Sequence, residues 1–202
     1  MAMKTVPEFL VIIDPSHGGD DKGVVYSSKV QEKEITLAFA RELRNELDDR
    51  GIAVRLLREG DVSVALERRA EITNGHHNAV YVAIHAARAG QVVRVYSAML
   101  PAASSASGPF IPWQSAQAAA LPRSSILAKA VVGELQKKKM QVLRLNAPLR
   151  PLNNIVNPAI AVELPPNGGE ARPSGGMKVQ NAVAAAVAAG IASSRNQMGM
   201  HP

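Results

Sequence analysis

The 202-residue chain has no cysteine, which excludes both a disulfide framework and a thiolate-bound metal. Aromatic residues make up only 3%, so a core has to be assembled mainly from Ala, Val, Leu and Ile. No run approaches the ~18 uninterrupted apolar residues that a membrane span requires. The opening MAMKTVPEFL lacks the apolar stretch of a secretory leader. What remains is globular in character: 47% hydrophobic, 20% charged, and of a length that suits one domain. The net charge of +6 favours acidic partners, but the basic residues are dispersed. Their one compact run, Lys137-Lys138-Lys139, falls where a helix should end and where cations complement the helix dipole. No nucleic-acid partner is expected.

Hydrophobic periodicity alternates between strand and helix. Strands are predicted at 8–13, 52–57, 79–84, 92–100 and 158–164. A helix is predicted over 31–49, where Ile35, Phe39, Leu43 and Leu47 recur every fourth residue and Gly51 follows as a stop. A second is predicted over 63–74, capped by Ser63 or Asp61, with Leu66, Ala70 and Thr73 facing inward. Others are predicted over 123–139 and 177–194. Such alternation implies an α/β fold: one three-layer domain across 1–202, its twisted, mostly parallel sheet flanked by helices on both faces. The Ala/Ser/Pro-rich stretch at 101–122 is too long for an ordinary connection and reads as an insertion or lid.

In such sheets ligands gather beyond the carboxyl ends of the strands. The first strand runs into the loop IDPSHGG and delivers His17. The third ends in AIHA with His85, and the late strand PAIAVEL carries Glu163 among apolar neighbours. Glu32 opens the first helix close to the His17 loop. Two imidazoles and a carboxylate are a common catalytic zinc set, and a further unbound carboxylate is the usual general base of metal-assisted hydrolysis. Each residue also has a plain structural reading: a surface histidine, a helix-start carboxylate, a charge paired inside the fold. The His76-His77 pair reads as part of a polar loop and not as a metal site.

The same residues carry a resemblance. IDPSHGG, QEKEITLAFARELRNEL, VRLLREGDVSVALERRAEITN, AIHAA and PAIAVEL follow one another as do the motifs of the zinc-dependent N-acetylmuramoyl-L-alanine amidases of the amidase type 3 family, peptidoglycan hydrolases. The resemblance covers about residues 9–170. It implies that His17, Glu32 and His85 hold Zn2+, with Glu34 the competing carboxylate, and that Glu163 is the catalytic glutamate. Structural roles are implied for Arg69 and Asn74. Asp14 or a backbone carbonyl is expected to hold the second nitrogen of a bound histidine. The implied substrate is peptidoglycan, cut between N-acetylmuramic acid and L-alanine, by a monomer acting in the cell envelope. A non-catalytic cell-wall binding module, or a zinc hydrolase of another amide, would also fit this inventory. The chain departs from the family pattern at Ser16, Ala83, Ala87, Asn153 and Pro165-Pro166, and in the 101–122 stretch, which has no simple counterpart there.

Overall fold

The computed structural model describes residues 9–101, 112–166 and 173–200. In chain order it contains β1 (Leu10–Pro15), β2 (Val25–Ser27), β3 (Val30–Gln31), α1 (Glu32–Asp48), β4 (Ala53–Leu56), α2 (Leu66–Asn74), β5 (Ala79–Ala86) and β6 (Val93–Ala98). There follow α3 (Leu121–Lys137), β7 (Val142–Ala147), β8 (Ala159–Leu164) and α4 (Pro173–Ser194). Six strands form one sheet in the order β4-β1-β5-β8-β6-β7. The first four run parallel to one another. β6 and β7 are parallel to each other, and β6 lies antiparallel to β8, so the sheet is mostly parallel with one reversal.

Strand alternation sorts the core into two faces. Val11 and Ile13 of β1, Val80, Val82 and Ile84 of β5, and Ile160 and Val162 of β8 pack against Phe39, Leu43, Val131 and Val187 of α1, α3 and α4. The intervening residues Ile12, Tyr81, Ala83 and Ala161 face the other way, toward Ala70 of α2 and the short turn containing Leu152. The second layer is thinner because its sheet residues are mostly alanines, and it leaves a cleft at the carboxyl ends. His85 and Glu163 share this parity and sit side by side in register on β5 and β8. Neighbouring strands are about 4.8 Å apart, so both side chains reach the same cleft.

The mostly parallel sheet is as expected, its one reversal being the fourth predicted strand, β6, against β8. Several local expectations are corrected here. No strand is predicted at edge strand β7 or at the β2–β3 hairpin; β7 alternates Leu143, Leu145 and Ala147 with Arg144 and Asn146, yet is largely exposed. α2 begins at Leu66 because Ser63 and Asp61 do not cap it. Ser63 Oγ donates to the Gly18 carbonyl, and Asp61 accepts from the Gly19 N–H and Lys33 Nζ. Leu66 is exposed, while Arg69, Ala70 and Thr73 are buried. Of the expected insertion, residues 102–111 lie outside those described, and Trp113–Ala120 forms a 3₁₀ turn leading into α3.

Candidate metal centre

The loop after β1 turns tightly, with His17 at φ 66° and Gly18 at φ 133°. A side chain at Gly18 would place its Cβ 2.3 Å from the Val62 carbonyl, so the position needs glycine. Two buried arginines fasten the loop from beneath. Arg58 donates to the carbonyls of Pro15, Ser16 and Lys33. Arg69 donates to the carbonyls of Pro15 and His17 and pairs with Asp14. At Gly23, with φ 62°, a Cβ would lie 2.7 Å from both Glu32 Oε2 and the His17 ring. The backbone is thus drawn close over the ligand groups.

His17, Glu32 and His85 each offer one ligand atom, and those atoms lie within 4.8 Å of one another. Glu32 Oε2 is 3.2 Å from His17 Nε2, and Oε1 is 3.3 Å from His85 Nδ1. Ligands about 2.1 Å from a tetrahedral zinc are about 3.4 Å apart, close to the two His–Glu32 separations, and two imidazoles with a carboxylate are donors that suit zinc. The atoms turned away from the set are held in place. His17 Nδ1 meets Asp21 at 2.9 Å, and His85 Nε2 meets Ser16 Oγ at 3.0 Å. Glu32, 3% exposed, accepts from the N–H groups of Val24 and Ala86. Its burial favours the neutral acid, but the hydrogen bonds with both imidazoles and the two N–H groups outweigh burial and hold the carboxyl far below the usual range. The Glu32 hydrogen bond in turn raises His17 above its ordinary value, against burial and with help from Asp21.

Glu34, the competing carboxylate, is exposed and accepts from the Gln31 N–H at 3.1 Å, as the return half of a capping box. Asp14 does not orient a histidine. It is buried with Arg69 and Tyr81, which take up its carboxylate. Asn74 ties α2 to residues 154–156 through both ends of its amide.

Glu163 stands beside this group, and a cleft of about 560 Å³ is lined by all four residues. Its Oε2 accepts from Tyr96 Oη at 2.8 Å and from Arg94 at 3.1 Å; among the described residues no hydrogen bond falls on Oε1. Burial, and then the bond to Glu163, push Tyr96 up to about 12, so it remains a donor at neutral pH. Sequence reasoning missed Ser16, Asp21, Arg94 and Tyr96 as supports. Asp21 could have been found from its spacing of four after His17. Arg94 and Tyr96 could not, because they depend on the antiparallel β6–β8 pairing.

A sequence profile described as N-acetylmuramoyl-L-alanine amidase matches residues 11–193. The chain is 41% identical over 83 residues to N-acetylmuramoyl-L-alanine amidase AmiA of Salmonella typhimurium, covering 41% of this chain and 29% of that protein. It is 38% identical over 85 residues to AmiA of Escherichia coli, covering 42% and 29%. The matched segment therefore spans less than a third of these curated relatives. Among solved structures, AmiC2 of Nostoc punctiforme superposes with a TM-score of 0.65 at 26% identity, covering 92% of this chain and 96% of that one. The CwlD amidase of Clostridioides difficile, solved in complex with the GerS lipoprotein, has a TM-score of 0.68 at 21% identity, covering 94% and 100%; this second likeness is one of fold alone. A profile match across nine-tenths of the chain, on a fold these amidases share, means that the protein belongs to the N-acetylmuramoyl-L-alanine amidase family.

Proposed function

We propose that this chain is a zinc-dependent hydrolase of the amide joining N-acetylmuramic acid to L-alanine in peptidoglycan. The observation carrying this reading is the meeting of His17, Glu32 and His85 within one ligand shell. Glu163 lies on the adjoining strand. A zinc ion held by those three residues supplies a Lewis acid that acidifies water and polarises a carbonyl. The remaining chemistry belongs to the chain. Glu163 takes a proton from the attacking water at Oε1 and returns it to the departing L-alanine nitrogen. Arg94 and Tyr96 fix its other oxygen, so the carboxylate does not rotate away from the cleft. Asp21 and Ser16 fix the two imidazoles, which keeps the ligand shell in shape before substrate arrives.

Action as a monomer, at the cell envelope where that substrate lies, is part of this proposal. No described helix is long and apolar enough to cross a membrane. Purified sacculi provide the test. Glu163→Gln should retain zinc while losing about 10²–10⁴-fold in release of stem peptide. Loss of zinc from that variant would overturn the role given to Glu163. Zinc binding without peptide release by the unaltered chain would instead indicate a non-catalytic wall-binding module.

A further inference from the structure

The proposed metal centre lies where two cavities meet. One, of about 560 Å³, is the cleft lined by His17, Glu32, His85 and Glu163. The other, of about 410 Å³, also takes in His17 and His85, but not Glu163, and continues past Leu66 to Arg150. An amide carbonyl drawn to a metal between those histidines has one half of its molecule in each cavity. Glu163 decides which half lies where. A group that protonates the leaving nitrogen must stand within hydrogen-bond reach of it. The amine half, the stem peptide, therefore lies in the cavity that Glu163 lines.

Resting on the amidase reading above, we propose that Arg88 is a specificity-determining residue for that peptide half. Its guanidinium binds the free carboxylate of the second stem residue, and so distinguishes a γ-linked D-glutamate from its α-amide. In the γ-linked residue the chain runs through the side-chain carboxyl and leaves the α-carboxylate free. That carboxylate is at most about 7 Å from the scissile nitrogen, the length of two extended residues.

Two observations carry the assignment. First, Arg88 is the one lysine or arginine lining the Glu163 cavity, and its charge is not taken up there. Among the described residues its guanidinium makes no hydrogen bond or ion pair. The two acids of the cavity are engaged elsewhere: Glu163 pairs with Arg94 at 3.1 Å, and Glu32 is enclosed by two imidazoles and two N–H groups. Second, the backbone that carries Arg88 is anchored from both sides. Tyr26 Oη lies 3.0 Å from the Ala86 carbonyl and 2.8 Å from that of Ala87, and the Ala87 N–H donates to the Leu164 carbonyl at 2.8 Å. Ala86 and Ala87 are buried and Arg88 is exposed, so the side chain alone has to be ordered by the ligand. A guanidinium meets a carboxylate through two parallel N–H bonds; a carboxamide offers one acceptor and no charge.

Binding of the leaving peptide tests this without reading hydrolysis. The full chain, with and without zinc, should be titrated by calorimetry with L-Ala-γ-D-Glu-L-Lys as its C-terminal amide. The comparison is the same peptide with the glutamyl α-carboxylate amidated. The acid should bind about five-fold more tightly in both zinc states. Arg88→Gln should bind both peptides equally at an unchanged melting temperature, and Arg88→Lys should recover part of the preference. Arg150→Gln, altered in the other cavity, should keep all of it. Equal binding of both peptides by the unaltered chain, or binding of neither, would overturn the assignment. So would a preference that survives Arg88→Gln or disappears in Arg150→Gln. Failure here leaves the metal-centre reading standing, and failure of zinc binding would leave the peptide preference readable.

Discussion

Ser16 departs from the family pattern, yet its hydroxyl meets His85 Nε2 and so leaves Nδ1 turned toward Glu32. Asp21 does the same for His17 from the opposite side. Ser16→Ala and Asp21→Ala should therefore each weaken zinc binding by about 10–100-fold in a chelator competition. Glu34→Ala, which removes only a helix-cap contact, should leave zinc affinity unchanged. Affinity that falls with Glu34 and not with Ser16 would reverse the assignment. At this scale His17, His85 and Glu163 stood out, as a histidine in a Gly-rich turn, a histidine closing a strand and a glutamate inside an apolar strand. Glu32, by contrast, reads alone as an ordinary helix-start carboxylate and is picked out mainly by the resemblance to the amidase motifs. Their supports were not legible. Asp14 and Asp21 are equally plausible from sequence, and only the strand direction sends Asp14 down to Arg69 and Tyr81.

Among the elements, the buried strands and the long amphipathic helices were readable because their periodicity mirrors their burial. β7 was not read as a strand, although Leu143, Leu145 and Ala147 alternate with Arg144 and Asn146 as in one; on this exposed edge the alternation does not mirror burial. Nor was the start of α2, because Ser63 and Asp61 look like caps and instead fasten the His17 loop. A different conflict between local and tertiary signals arises where α4 crosses α3. Gly190 sits in a helix, where alanine is favoured by about 1 kcal/mol. A Cβ there would lie 2.6 Å from Val131 Cα and 2.7 Å from its nitrogen. Backbone atoms do not step aside, and overpacking costs about 1–3 kcal/mol. Gly190→Ala should thus lower the urea midpoint despite its better helix propensity; a raised midpoint would mean that the helices separate freely.

Over the whole molecule, the alternation of strands and helices announced the α/β class, while the reversal of β6 against β8 had no local signature. The chain has three tyrosines, and the fold raises all of them. Tyr81 is raised by burial and then by Asp14. Tyr26 goes up to about 12 through burial and then the charges of Glu32 and Glu163, and Tyr96 likewise reaches about 12. Phenols with raised values bind their protons more tightly in the folded state. Their contribution to stability is full below pH 10.0 and is lost as pH climbs toward about 12. Phenolate absorbance should accordingly stay low through pH 10 and rise together with loss of the circular dichroism signal. Titration of all three near 10 in a still-folded chain would contradict this linkage.

The proposed chemistry depends throughout on a single ligand shell assembled from three separated segments. Anomalous diffraction at the zinc edge, from crystals grown with zinc, reads that shell without an intermediary. One strong peak is expected, touching His17 Nε2, His85 Nδ1 and a Glu32 carboxylate oxygen, with Glu163 beside it and unbound. A peak elsewhere, or Glu163 in place of Glu32 among the ligands, would contradict the assignment.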